Sequence, residues 1–188
     1  MQTICVFGSS SESIDREFLD SAEHLGQTLA KKGKTVLFGA GRYGVMGAVS
    51  RGAKAAGGRI IGVSPSFFQE LDVLADYADE LIFTETMRER KGIMEDNSDA
   101  FIICAGGIGT FEEFFEVLTL KQLGRHTKPI IIYNYKGYYD ELLAMMKASV
   151  EKNFMSDEVN KIYTVANTEE EVIEQLDNYK AFMYNKYN

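Results

Sequence analysis

The feature that most restricts how this chain can fold is its alternation of short, continuous apolar runs with helix-length segments. The runs are Thr3 to Phe7, Thr35 to Phe38, Arg59 to Val63, Leu81 to Phe83, Phe101 to Cys104, Pro129 to Tyr133 and Ile162 to Val165. They are continuous rather than alternating, so they read as strands covered on both faces, the environment of a parallel sheet with helices above and below. Helices are predicted from about Ile14 to Lys32, Val45 to Ala56, Met87 to Asn97, from near Thr110 onward, and from Tyr138 to Asn153. Gly33, and then Gly57 with Gly58, stand just past the first two helices, where glycine ends a helix. Thr168, with Glu171 three residues on, reads as a capping box opening the last helix. Residues 64–79 read as the longest irregular stretch, and the polar tail after Tyr179 is expected to fray. The expected fold class is therefore α/β, a doubly wound, mostly parallel, Rossmann-like sheet with helices on both faces. Its 188 residues suit a single domain, 1–188, large enough to bury a core without cross-links.

Charge and cysteine usage narrow the partners. The formal net charge of −8 argues against nucleic acid or an anionic membrane surface, both of which need a basic footprint. No run approaches the roughly 18 apolar residues of a membrane span, and the N-terminus lacks the basic-then-apolar pattern of a signal peptide. Cys5 and Cys104 both lie in apolar strand-like runs, far apart in sequence. Buried free thiols suit a reducing compartment, and a cytoplasmic location is expected.

Residues 99–123 hold the densest functional signal: a buried strand, a loop with Gly106, Gly107 and Gly109, and a helix rich in Phe, Val and Leu. A strand that feeds a glycine loop into a helix start makes an anion cradle, because unpaired N–H groups and the helix dipole both favour negative charge there. In a doubly wound sheet, ligands bind beyond the carboxyl ends of the strands. Loops 8–11, 39–44 and 105–110 should gather at that end, together with the helix start at Met87.

Other chemistries fit less well. Gly39-Ala-Gly41-Arg-Tyr-Gly44 matches the dinucleotide fingerprint, but it follows the second strand, and no Asp or Glu lies between Arg51 and Gln69 to hold a ribose. Close packing of a small-residue helix explains these glycines better. There is no P-loop and no Gly-x-Ser-x-Gly elbow. His24 and His126 are isolated, so no metal site is expected, and no cofactor is called for.

Two groups remain. Met87-Arg88-Glu89-Arg90-Lys91 places three cations at a helix start, where the dipole prefers acids. Either one of them faces an anion, or they form a solvated face paired with Glu89 and Glu95. Thr110-Phe111-Glu112-Glu113 reads first as a capping box. A carboxylate beside a phosphate cradle has a second use, however: it can stabilise a centre that becomes cationic, as in glycoside cleavage.

Together these residues resemble the Lonely guy family of cytokinin riboside 5′-monophosphate phosphoribohydrolases, often mislabelled lysine decarboxylases. Gly106-Gly-Ile-Gly-Thr110-Phe-Glu-Glu113 is similar to that family's Pro-Gly-Gly-x-Gly-Thr-x-x-Glu motif, and Met87-Arg-Glu-Arg90-Lys91 to its Met-His-x-Arg-Lys. Gly44-Val-Met-Gly47 and Phe7-Gly-Ser-Ser10 resemble two further motifs, so the likeness runs from Ile4 to about Leu176. It implies hydrolysis of the N-glycosidic bond of an AMP-like nucleotide to free base and ribose 5-phosphate. The implied catalytic pair is Arg90 and Glu113. Gly106, Gly107, Ile108, Gly109 and Thr110 would hold the 5′-phosphate, with Lys91 and Thr119 assisting and Met87 near the base. An acidic residue of the family's site matches Asp72 by spacing, with Glu70 as its rival. Ala105 replaces the motif's proline, Arg88 replaces its histidine, and Glu12 stands where the first loop often has glycine.

The family also implies a homodimer. Phe114, Phe115, Val117, Leu118, Leu120 and Leu123 surround the helix after the loop, as in a helix buried on all sides, and a second copy would supply the missing cover. The competing classes are a non-catalytic nucleotide-binding or carrier module on the same fold, and a purely structural protein. The presence of both Arg90 and Glu113 favours the enzyme.

Overall fold

The computed structural model describes residues 2–185. Strands β1 (Thr3–Phe7), β2 (Thr35–Phe38), β3 (Ile60–Pro65), β4 (Glu80–Thr84), β5 (Ala100–Ile103), β6 (Ile130–Tyr133) and β7 (Thr164–Ala166) form one sheet in the order β4-β3-β2-β1-β5-β6-β7. Every pairing is parallel. The helices are α1 (Arg16–Lys31), α2 (Gly44–Ala55), α3 (Met87–Asp96), α4 (Ile108–Gln122), α5 (Asp140–Glu151) and α6 (Glu169–Asn178).

The expected double winding is present. Side chains alternate along each strand, so one strand feeds two cores. Ile4, Val6, Val36, Phe38, Ile102 and Ile131 join α1, α2 and α6 on one face. Cys5, Phe7, Leu37, Phe101, Ile103 and Ile132 join α3, α4 and α5 on the other. Both neighbours of a central strand are apolar-faced, which is why the sequence shows runs rather than alternation. Cys5 and Cys104 are buried free thiols, and burial pushes both well above the ordinary thiol pKa.

The chain starts in the middle of the sheet. From β1 it moves outward through β2, β3 and β4, then crosses back to β5 on the other side of β1. The order reverses between β1 and β5, so the loops after those two strands diverge and open a crevice at the carboxyl end of the sheet.

Several boundaries differ from the sequence reading. Helix α1 begins at Arg16, two residues later than predicted, and β7 is shifted to Thr164–Ala166. The stretch read as irregular contains a 3₁₀ segment, Ser66–Leu71, and its remainder is pinned to the second glycine loop by Arg42 N–H to Val73 O (2.9 Å) and Ala75 N–H to Ala40 O (2.8 Å). The tail does not fray at once: Tyr179 donates to Thr127 O at 2.6 Å, and the Phe182 ring lies 5.5 Å from the Lys121 ammonium. Residues 186–188 of that tail lie outside the described residues. Among the described residues no helix is long and apolar enough to cross a membrane.

Helices α1 and α2 touch backbone to backbone. A Cβ on Gly26 would lie 2.0 Å from Val49 O, and one on Gly52 would lie 2.0 Å from Glu23 O. A carbonyl in a helix cannot step aside, so Gly52→Ala should force the helices apart and destabilise the fold by about 2 kcal/mol, the usual scale of overpacking. Urea unfolding checks this: the midpoint should fall while the slope stays constant.

Candidate active site

The site is built from two helix starts. Helix α3 opens with a capping box that the sequence reading missed: Glu89 N–H donates to Thr86 Oγ1 at 3.1 Å, and Thr86 N–H donates to Glu89 Oε2 at 3.4 Å. The Thr-x-x-Glu signal was present in the sequence at 86–89, overshadowed by the cations around it. With that start set, Arg90 falls on the inner side of α3 and is 7% exposed. Its Nε donates to Val63 O at the end of β3 (3.1 Å), and its Nη1 donates to Glu113 Oε1 (2.8 Å). Gly39 leaves room for the guanidinium, because a Cβ there would stand 2.0 Å from Arg90 Nη2.

Helix α4 opens on Gly107, with no side-chain cap. The capping-box reading of Thr110 and Glu113 is therefore corrected. The helix starts at Ile108, so Thr110 is already its third residue and Glu113 its sixth, too deep to cap it. Thr110 packs instead against Gly106, where a Cβ would meet Thr110 Oγ1 at 2.0 Å. Because no side chain covers this start, the first-turn N–H groups have no intrahelical partner and are open to an anion.

Glu113 is buried against Arg90. Burial pushes its carboxyl pKa up, and the guanidinium pulls it part of the way back. A carboxylate without that partner would simply neutralise. The solvated-face reading of the α3 cations is thereby overturned for Arg90. It is also overturned for Lys91, whose ammonium is clasped by Glu112 and Glu116 on α4 rather than by Glu89 or Glu95.

A cavity of about 530 Å³ lies over this pair, at the sheet's carboxyl end. Loops 8–11, 39–44 and 105–110 and the start of α3 all contribute to it. Of the residues singled out by sequence, Met87, Arg90, Gly107, Gly109, Thr110 and Glu113 line it. The others do not. Gly106 is buried behind the loop, and Ile108 is 85% exposed outside it. Lys91 is turned to its two glutamates, and Thr119 is exposed on the outer side of α4. Asp72 adopts a left-handed conformation (φ 48°) and pairs with Arg42 at 3.2 Å, and Glu70 is exposed on the same segment. Conversely, Ser10, Glu12, Tyr43, Met46 and Phe68 line the cavity without having been singled out as ligand contacts. Position at a strand's carboxyl end was the signal for the first four, whereas Phe68 arrives through the fold of 66–76 and left none. His126 is structural: its Nε2 is 2.9 Å from Val117 O and its ring packs on Phe101.

A family described as "Possible lysine decarboxylase" matches residues 46–176. The cytokinin riboside 5′-monophosphate phosphoribohydrolases LOG3 and LOG4 of Arabidopsis thaliana are each 36% identical to this chain over 176 residues, 94% of this chain and 82% of either relative. The chain belongs to the Lonely guy family. Among solved structures, the molybdenum cofactor binding protein of the phototrophic bacterium Rippkaea orientalis matches with a TM-score of 0.71 at 28% identity, covering 94% of this chain and 95% of that one.

The decarboxylase description fits this Lonely guy chain poorly. Pyridoxal chemistry needs a lysine amine for a Schiff base. Among the described residues no lysine lines the cavity, and Lys91 is held outside it by Glu112 and Glu116. Arg90 and Glu113, in contrast, meet at one point on the cavity lining.

Gly39→Ala tests that meeting point. The added methyl would evict the guanidinium from its seat, and catalytic efficiency should fall about tenfold or more through misplacement alone. Gly92→Ala is the control, since a Cβ there meets nothing within 4 Å. It should keep activity and add up to about 1 kcal/mol of helix stability. Steady-state kinetics and thermal melting of both variants check this.

Proposed function

We propose that this chain hydrolyses the N-glycosidic bond of AMP-type purine nucleoside 5′-monophosphates, N6-substituted cytokinin nucleotides included, to free base and ribose 5-phosphate. The observation that carries the reading is the spacing along α4. The open helix start and Glu113 face one cavity. Thr110 and Glu113 are separated by about 4.5 Å of helix rise. A nucleotide whose 5′-phosphate rests on the first-turn N–H groups of α4 would place its anomeric carbon beside the Glu113 carboxylate.

In this mechanism the phosphate anchors the substrate and removes its orientational freedom. As the bond to the base breaks, positive charge grows on the ribose, and Glu113 stabilises it electrostatically. Glu113 also takes a proton from the attacking water, so water supplies the hydroxyl of ribose 5-phosphate, and the departing base gains a proton overall. Arg90 is a poor acid, because its guanidinium holds its proton firmly. Its role is to hold Glu113 ionised and aimed. Met87 and Phe68 offer apolar surface for the base. Asp72, Lys91 and Thr119 enter this reading on the family resemblance alone, as does Gly106 as a phosphate contact, whereas Ile108 enters through its backbone N–H at the first position of α4.

A binding module without catalysis is the competing reading, and the molybdenum cofactor binding protein gives it a structural precedent. The buried Arg90–Glu113 pair favours hydrolysis, since a phosphate carrier has no use for a carboxylate there. Incubation with AMP and N6-substituted AMP, followed by chromatography, separates the two: free base supports the hydrolase, and binding without base release supports the carrier. Glu113→Gln should lower kcat by about a hundredfold or more, and turnover within about threefold of wild type would remove Glu113 from this role.

The pH profile follows from burial. Glu113 acts ionised, and burial raises its pKa, so activity should rise with pH along a limb set above the ordinary carboxylate range. A limb at the value of a free glutamate would show that water screens the pair.

We also propose that the protein is a cytoplasmic homodimer. The α4 surface is less bare than the sequence suggested: Glu112 and Thr119 are exposed on it, and Phe115, Leu120 and Leu123 are half-buried within one chain. Exposed Phe67 on the 3₁₀ segment, Phe83 on the edge strand β4 and Met87 at the start of α3 are the better support for a second copy. Light scattering that returned the mass of one subunit would overturn the dimer.

A further inference from the structure

Three successive carbonyls just after β5 are each held by a donor, and the two tyrosines among those donors lie outside the main cavity. Tyr139 Oη donates to Cys104 O at 2.7 Å, Ser9 N–H donates to Ala105 O at 3.0 Å, and Tyr138 Oη donates to Gly106 O at 2.8 Å. The third is the least expected, because the peptide it holds joins two glycines. With no Cβ on either side, that peptide plane can turn over at little cost. A turn would point the Gly106 carbonyl, a partial negative charge, into the cavity and take the Gly107 N–H out of it.

A trans peptide is planar, so its C=O and N–H point to opposite sides. Fixing one fixes the other. We propose that Tyr138 is a positioning residue for the anion cradle: its hydroxyl holds the Gly106 carbonyl back, so the Gly107 N–H faces the 5′-phosphate. Tyr138 lines a separate side pocket behind the loop, with Phe18 and Gly106, and does not line the main cavity. It therefore acts through the loop and not on the substrate.

The hydroxyl is itself well placed. Gly137 (φ +72°) turns the chain just before it. The Asn134 side chain then clamps that turn, accepting from Tyr139 N–H at 2.7 Å and donating to Asp140 Oδ1 at 2.8 Å. The Tyr138 ring packs edge-on against Phe18 and Tyr139, at 5.8 and 5.0 Å between centroids. Its outer side is exposed, so removal of the hydroxyl alone leaves the core untouched.

This inference rests on the proposed phosphate site, and its test keeps the two apart. Tyr138→Phe is compared with wild type for ribose 5-phosphate binding by calorimetry, for KM and kcat with AMP, and for inhibition by adenosine, which lacks the phosphate. The variant should weaken ribose 5-phosphate binding and raise KM for AMP about fivefold, the worth of one hydrogen bond, with the adenosine inhibition constant and kcat within about twofold of wild type. Unchanged ribose 5-phosphate binding would overturn the role of Tyr138 while the hydrolase reading stands on base release. Equal weakening of adenosine and ribose 5-phosphate would show a merely structural tyrosine and also overturn it. Failure of the wild type to bind ribose 5-phosphate would overturn the phosphate site and the role of Tyr138 with it, whereas phosphate binding without base release from AMP or N6-substituted AMP would overturn the hydrolase reading alone.

Discussion

The contact between Arg90 and Glu113 is the constraint on which the rest of this structure turns. Two opposite charges removed from water cost several kcal/mol each unless they meet in good geometry with their remaining bonds filled. Here Arg90 meets Glu113 at 2.8 Å and spends its Nε on the Val63 carbonyl. That one guanidinium joins the end of β3, the start of α3 and the first turns of α4. Gly39, from the loop after β2, has to be bare to let it in. A buried ion pair of this kind is a weak source of stability. Its value lies in fixing which loops meet, and so in holding a carboxylate ionised at the base of the cavity.

The fold makes that meeting possible through its order of strands. Because β1 is central and the chain reverses between β1 and β5, the loops after β1, β2 and β5 open at one end of the sheet. Helix α4 then presents an uncapped start at this end. Its N–H groups and the Glu113 carboxylate favour opposite charges a few ångströms apart, which suits a substrate that is anionic at its phosphate and becomes cationic at its sugar. Both ends of the cleavage reaction are thereby matched by one helix.

Much of the architecture was legible because it rests on local physics. Continuous apolar runs such as Val36 to Phe38 and Ile130 to Ile132 read as strands covered on both faces, and Gly33 and the Gly57–Gly58 pair mark helix ends. The glycine loop before α4 was legible for the same reason. What misled was also local. Thr110 and Glu113 have the spacing of a capping box, yet the helix starts three residues before such a box would open it, and the real box at Thr86 and Glu89 lies among cations. Phe68 and the clamp of Arg42 on Asp72 depend on how residues 66–76 fold over a distant loop, and no nearby residue signals that.

The sequence by itself determined the parallel sheet, the anion-binding helix start and the chemical types available to a site, because hydrophobic period, glycine placement and charge act over a few neighbouring residues. Only the tertiary structure decided which charges pair. Arg90 and Lys91 are adjacent in the chain, but one turns inward to Glu113 and the other outward to Glu112 and Glu116. The difference is about 100° of helical turn. On one side of that turn lies a cavity and on the other the acidic side chains of Glu112 and Glu116 on α4, and those surroundings belong to the packed fold and not to either residue.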